Sequence, residues 1–454
     1  MRVTALRAAA LAGAGFVLRI LIAPSHGYGG VDGDLVEHKQ MVHVALEQGF
    51  HEIYLANALH DPALTGRDWD GAYFVNQPPV VHYLRVGTGW LYRLFSPAGY
   101  ALWPSDLNFL EAQKTDLRER LAASRGFTVA LKIPGIVADA LITLGLYFFA
   151  AKQAGERTAS LVAGAYAFNP GILFDTAHWG QHDALAVGFL VLGLMLIHGG
   201  RLEAGFAVAT LGALSKPQMN AFWPLLLALG LLRFPLSRVV RAGLAAAGVA
   251  LLVFSPFIFG GTLGITLDAL FRSTFGGEPY LSCQASNVWW LLSGGRGYDI
   301  NDNLPLLGPL TARTLGLLTF LGACGLVARR LAGRADRDAT LAFLAATVVG
   351  AAFFMLCTEL HENHMMAVLP LLAFALPGEP RLWPVYGLLS VTFLLNMALF
   401  DPAVVDPLGV RLGTPIPVRE LSLLVAAANT AGFLALWWRF WQRTGPASPA
   451  PTSS

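Results

Sequence analysis

Charge is scarce in this chain. Only 13% of its 454 residues are Asp, Glu, Lys or Arg, against roughly 25% in an average soluble domain. The net charge of +2 gives no polyanion-binding character, so a nucleic-acid partner is not expected. Cysteine is scarcer still: Cys283, Cys324 and Cys357 are too few and too scattered for a disulfide framework or a metal cluster. No polar stretch is long enough for a soluble nucleotide-binding domain, and no Gly-rich phosphate loop opens a strand-helix unit. An HExxH zinc signature is missing, as is the half-to-half repeat common in transporters. What fills the chain is apolar. Hydrophobic residues make up 55% of it, in runs of about 18 or more, long enough to cross roughly 30 Å of hydrocarbon. The expected fold class is therefore an all-α polytopic integral membrane protein.

Short loops rich in Lys and Arg stay in the cytoplasm, which orients the spans. A first helix near 4–23 keeps Arg2 and Arg7 inside. Arg19 interrupts its apolar run and no small-residue cleavage site follows, so it reads as a retained helix rather than a signal peptide. The next clean span, near 127–150, ends at Lys152 and Arg157, which makes residues 24–126 one long external loop. Further spans near 159–177, 184–199, 203–216, 218–232, 240–259, 309–328, 339–356, 365–377, 382–400 and 419–438 bring the total to about twelve. A second external loop covers about 260–308, and every short inner turn carries Arg or Lys, including Arg201, Arg233, Arg238, Arg329, Arg330, Arg334, Arg337, Arg439 and Arg443. One membrane domain over 1–441 and a disordered tail over 442–454, rich in Pro, Ser, Ala and Thr, complete the organisation.

The stretch 78–95 is apolar enough to imitate a span. It opens Pro78-Pro79, which suits a helix start. His82, Arg85, Gly89 and Arg93 share one helical face, opposite Val80, Leu84, Leu91 and Phe95. A basic stripe facing an apolar one describes a helix lying in the membrane surface. As a span it would bring two arginines into hydrocarbon at about 2.5–3.5 kcal/mol each.

With this topology five polar clusters fall on the external face. They are Asp32-Gly33-Asp34 with Glu37 and His38, His178 through Asp183, Ser215-Lys216-Pro217-Gln218, Gln284 through Trp290, and Glu359 through His364. Ionisable residues at membrane depth are functional candidates by default. Each cluster also has a plainer reading. Asp34 with Glu37 matches a helix N-cap. Lys216 can rest in the headgroup region with its amine in water, and Trp289 and Trp290 suit an interface belt as well as a sugar platform. His178, His182, His361 and His364 could gather a metal, although catalytic zinc wants three supported ligands. Asp139, deep in the second span, is expected to pair with Arg19 or Lys132 for structural reasons.

These residues carry a resemblance. The chain resembles the lipid-phosphosugar-dependent glycosyltransferases of the GT-C superfamily, above all the glucosyltransferases that extend the lipid-linked oligosaccharide for N-glycosylation. Bacterial relatives of the second GPI mannosyltransferase look similar. Gly33-Asp34 matches the acidic motif of the first external loop, and Asn76-Gln77-Pro78-Pro79 the acidic-Tyr-Pro-Pro element. His178 through Asp183 fits the outer-turn motif, which reads Trp-Gly-Gln-x-Asp in bacterial relatives. Lys216 with Gln218 fits a Lys-Gln motif, Asn287 with Trp289 an Asn-Phe-Trp motif, and His361-Glu362 a His-Glu-Lys/Arg motif. The order holds along most of the chain. Three positions depart: Asn76 replaces an acid, Ser282 stands where the glucosyltransferases have Glu, and Asn363-His364 replaces a basic residue.

The resemblance implies a polyprenyl-phosphate hexose as donor, a lipid-linked or glycan acceptor, inversion in a single displacement, and neither cofactor nor metal. The transfer needs a base for the acceptor hydroxyl, and partial desolvation at the membrane surface suits a carboxylate to it. Asp34 is the first candidate and Asp32 the second. Lys216, His361, Arg85 and His178 are candidates for holding the leaving phosphate, and Gln181, Asp183, Gln218, Asn287, Glu362 and Trp289 for holding sugar or acceptor. A secondary transporter or lipid flippase lined by the same cavity is the alternative. The Ala, Gly, Leu and Arg bias points to a bacterial plasma membrane, with the site facing the periplasm or exterior. This topology is open to direct test: a cysteine at Ala112 should react with an impermeant thiol reagent from outside the cell, and one at Gly155 only after permeabilisation.

Overall fold

The computed structural model describes residues 2–55, 75, 77–101, 124–274, 278–332 and 338–444. Ala112, Asn76, Arg334, Arg337 and the expected tail from 445 onward lie outside them. Apart from a two-stranded hairpin, Pro305–Leu307 with Leu310–Thr311, and isolated bridges, the regular structure described is helical.

Among the described residues, six helices are long and apolar enough to cross a membrane: Thr4–Ile22, Arg125–Ala167, Leu236–Phe259, Ala312–Leu331, Ala339–Leu356 and Val418–Arg443. Pro380–Ala398 with Pro402–Leu412, bent by 88°, makes a seventh if the pair is one span. The chain is thus an integral membrane protein; against the expectation of about twelve spans, six or seven candidates are long and apolar enough among the described residues. The expected apolar segments coincide with helices, but several are too short to cross alone. Leu202–Ala213 has 12 residues and Val368–Ala375 has 8. At 1.5 Å per residue these reach about 18 and 12 Å, against roughly 30 Å of hydrocarbon. Proline is one cause: Pro217 opens a 3-10 turn and Pro224 the first turn of Trp223–Arg233, so the region 203–232 divides into short pieces. Within Arg125–Ala167 the non-helical backbone of Gly155, at φ 82° and ψ 170°, separates two helices, at the place where the sequence divides the spans near 127–150 and 159–177. A cysteine would be strained at that backbone, so Ala154, exposed beside it, is the better labelling position.

Ala339–Leu356 is buried along nearly its whole length and forms the centre of the core. Phe343 stacks on Phe374, and Phe149 packs edge-on against both. Leu236–Phe259 lies at the periphery, with Leu244, Leu251, Leu252 and Phe259 exposed for lipid contact.

Basic residues gather at one end of the bundle. Arg7 pairs with Glu156 at 2.5 Å, joining the N-terminal end of the first helix to the turn at Gly155. His198, at the next turn, senses the charges of Arg233, Asp338 and Lys152. Arg238 pairs with Glu203, Arg439 with Glu379, and Arg443 with Glu379 and Asp338. These are the turns expected inside.

The helix Pro79–Phe95 starts as its prolines predict. Its polar stripe, however, is turned into the protein: His82, Arg85 and Gly89 are buried, whereas Leu84, Trp90, Leu91, Leu94 and Phe95 are exposed. The amphipathic reading stands, with protein in place of water against much of the polar face.

Between the ends, Arg19 donates to Asp139 Oδ2 at 2.7 Å and to the carbonyl of Ala167 at 2.8 Å, and Tyr166 donates to Asp139 Oδ1 at 2.6 Å. Arg19 is therefore the expected partner of Asp139, and Lys132 instead holds the carbonyls of Ser25, Ala177 and His178. Removing one member of a buried ion pair costs about 3–5 kcal/mol, whereas an apolar replacement of both is near neutral. In detergent, Arg19→Leu should lower the unfolding temperature sharply, and Arg19→Leu with Asp139→Leu should recover most of the loss.

Candidate active site

The polar clusters expected on the external face meet where helices end. The helix Pro170–Leu173 passes into a π-helical turn, Phe174–Trp179, which Gly180 closes in the left-handed conformation at φ 80° and ψ 26°. A Cβ there would lie 2.9 Å from Lys132 Cε and 3.0 Å from Leu35 Cδ1, so only glycine fits. The chain then presents Gln181, His182 and Asp183, the last opening the helix Asp183–His198.

Asp34 is the first residue of Asp34–Glu47, and Gly33 occupies the cap position without a side-chain cap bond. The capping reading of Asp34 is therefore wrong. Its carboxylate is exposed and accepts one hydrogen bond among the described residues, from Gln181 Nε2 at 3.0 Å. Gln181 Oε1 in turn lies 3.5 Å from Lys216 Nζ. Lys216 is ion-paired to Asp183, which also accepts from Asn363 Nδ2 at 3.2 Å. One polar chain thus joins the start of Asp34–Glu47 to the turns at 178–183, 215–218 and 359–364.

Most candidate cations on this face are already matched. Lys216 is buried against Asp183, which rules out a headgroup position for its amine. His361 Nε2 lies 3.2 Å from Glu278 and its Nδ1 3.9 Å from Glu362. His178 lies 3.0 Å from Ser25 Oγ and 3.6 Å from Asp401. Arg85 differs. It is buried and donates to His182 at 2.9 Å, yet its Nη1 has no hydrogen-bond partner, and no carboxylate among the described residues lies within ion-pair distance. Burial pulls the guanidinium down to about 9, against the charges of Asp34, Tyr54 and Glu37. Its neighbours are imidazoles that burial keeps neutral, with His82 drawn down to about 3 and His38 and His182 also well below their usual value. The sequence singled out His38 and His182 in their clusters and His82 in the stripe, but nothing in it brought the three together around Arg85.

Other candidates serve the fold. Asp32, strained at φ 63°, is fully buried and spends both oxygens, on Lys39 at 2.6 Å, Thr128 at 2.9 Å and His26 at 3.1 Å. Asn287 caps Val288–Leu292 by accepting from Trp290 N at 3.0 Å, and its amide donates to the carbonyls of Phe354 and Cys357. Trp289 is buried and donates to the carbonyl of Leu356 at 2.7 Å, so it is neither interface belt nor open sugar platform. Gln218 lies 2.5 Å from His364. Glu362 is nearly buried, and burial raises it above the usual carboxylate range. The four histidines weighed as metal ligands are divided among different partners, and only His361 and His364 touch.

The two aspartates should therefore separate by measurement. Burial works to raise Asp32, but the charge of Lys39 and the hydrogen bonds from His26 and Lys39 outweigh it and hold the group well below the usual carboxylate range. Its stabilising contribution is present above the unfolded value near 3.9 and is lost as pH falls through the lower folded value. Asp32→Asn should lower the unfolding temperature at pH 7, losing about 3–5 kcal/mol by stranding Lys39, and the penalty should shrink at acid pH. Asp34→Asn should unfold within a few degrees of the parent.

No protein-family profile matches the chain, and no curated protein matches it. Among solved structures, the chain is similar to ArnT from Cupriavidus metallidurans bound to undecaprenyl phosphate, at 15% identity and a TM-score of 0.44, over 95% of this chain and 76% of that one.

Proposed function

We propose that the chain is a glycosyltransferase that moves a hexose from a polyprenyl-phosphate carrier to an acceptor hydroxyl on the non-cytoplasmic membrane face, with residues 1–441 acting as one unit. One juxtaposition carries this reading: an exposed carboxylate, Asp34, steadied by Gln181, in the field of a buried guanidinium, Arg85, with a free donor and no carboxylate partner among the described residues. A buried cation lacking a counter-charge is costly unless an anion completes it. A phosphate monoester is such an anion, and its polyprenyl tail can stay in the bilayer beside the apolar face of Pro79–Phe95.

The residues then divide the work. Asp34 takes the acceptor's proton as its oxygen attacks the anomeric carbon, and Gln181 orients the carboxylate. The bond from that carbon to the phosphate oxygen breaks on the opposite side, so the centre inverts, and the phosphate leaves with the electron pair. Arg85 stabilises that growing charge, with His182 fixing the guanidinium plane. Asp183, Gln218 and Glu362 remain candidates for sugar or acceptor hydroxyls. Lys216, paired with Asp183, supports the turn and shapes the field. External transfer of this kind draws on no nucleotide sugar.

The test is a donor panel on purified protein. Polyprenyl-phosphate hexoses should support transfer without added divalent metal, and UDP- and GDP-sugars should not. Asp34→Asn should cut turnover by about 10²–10⁴-fold while keeping the parent's stability. Arg85→Gln should cut kcat/KM for the donor by about ten- to a hundredfold, the worth of a charge-assisted hydrogen bond. Robust transfer from a nucleotide sugar with no carrier lipid present overturns the reading.

A further inference from the structure

The second external loop and the turn after Ala339–Leu356 are stitched together by backbone. Cys283 N donates to the carbonyl of Leu360 at 2.9 Å, and Glu359 N to that of Tyr280 at 3.1 Å. Cys283 and Gln284 both bridge to His361. This contact brings a carboxylate oxygen of Glu278, Sγ of Cys283 and a ring nitrogen of His361 within 4.8 Å of one another.

We propose that Glu278, Cys283 and His361 bind a zinc ion that clips the second external loop to the turn at 359–364. Carboxylate, thiolate and imidazole are all zinc ligands, and three of them leave the fourth tetrahedral position to water. A thiolate in the set argues against calcium or magnesium, which take oxygen. Support behind the ligands is present too. His361 Nε2 lies 3.2 Å from Glu278, and its Nδ1 lies 3.9 Å from Glu362 Oε2, a buried oxygen with no hydrogen-bond partner; a small shift would make the carboxylate contact that orients a metal-bound imidazole. The surroundings are electronegative. Glu278, Glu362 and Asp302 all act on Cys283, and Asp302 and Glu359 share Arg313.

The clip bears on the transfer site by position. Asn363, two residues beyond His361, donates to Asp183, so fixing the turn fixes one end of the polar chain leading to Asp34. The zinc is held by the fold and touches neither Asp34 nor Arg85, so the inference stands or falls apart from the transfer reading.

Untagged protein purified in detergent should hold one zinc ion per chain by mass spectrometry. Its zinc X-ray absorption should fit a single sulfur at about 2.3 Å with nitrogen or oxygen at about 2.0–2.2 Å. Cobalt exchanged into the site should give a thiolate-to-cobalt charge-transfer band that Cys283→Ser abolishes and Cys324→Ser and Cys357→Ser retain. Glu362→Gln should keep the band but weaken metal affinity about 10–100-fold. The wild-type absorption spectrum decides the matter even if a variant fails to fold. Protein that keeps no zinc after zinc loading and gel filtration, or zinc without a sulfur neighbour, overturns the proposal and leaves Glu278 and His361 as a simple ion pair.

Discussion

A charge drawn into a membrane protein must find its counter-charge inside the fold, because an unpaired ion away from water costs several kcal/mol. Arg19 meets Asp139 between the first helix and Arg125–Ala167. Lys39 meets Asp32 in the segment after the first helix, and Lys216 meets Asp183 across the turns at 178–183 and 215–218. Each pair ties together segments distant in sequence, so the pairing doubles as the wiring of the fold. It also reduces the candidate site by subtraction. Among the candidates for base and phosphate binding, setting the matched charges aside leaves Asp34 at the surface and Arg85 within, and these two differ in kind: one is solvated, the other is desolvated and has no carboxylate partner among the described residues.

The short helices serve the same end. Asp183–His198, Leu202–Ala213 and Val368–Ala375 are too short to cross hydrocarbon easily on their own, yet irregular backbone at membrane depth is tolerated where protein surrounds it. Val368–Ala375 is fully buried, and the two others bury one side each. Their ends, and the turns beside them, deliver Gln181 and Asp183, Lys216 and Gln218, and Glu362 and Asn363. Longer helices around them take the lipid contact. The inner bundle thus supplies the surrounding polar residues, while Asp34 and Arg85 come from the helices Asp34–Glu47 and Pro79–Phe95.

How much of this was legible before folding follows from the physics of each residue. Helix positions were readable because apolar runs between prolines and basic turns have few other uses. Arg19 with Asp139 was readable because lone charges in neighbouring apolar runs have few possible partners. The number of spans was not, since hydropathy measures composition while Pro217 and Pro224 cut the length available to a helix. Asn287 and Trp289 misled for a different reason: Asn-x-Trp looks the same whether the amide caps a helix or awaits a sugar. Partner choice was also hidden. Nothing in the order of residues says that Lys216 takes Asp183, that His361 takes Glu278, or that Cys283 comes to lie beside both of those last two.

The π-helical turn at Phe174–Trp179 has a consequence for how this protein can change over generations. Surface loops usually absorb insertions and deletions, and helices resist them. Here a helix already holds a looser turn, and Gly180 behind it is wedged against Lys132 and Leu35. Dropping one residue to restore an ordinary helix would swing the preceding side chains by about 100° relative to that fixed anchor. His178 would leave Ser25, and Trp179 would leave Asp401, to which it donates at 2.7 Å. Drift by substitution remains open to this segment, but drift in length does not.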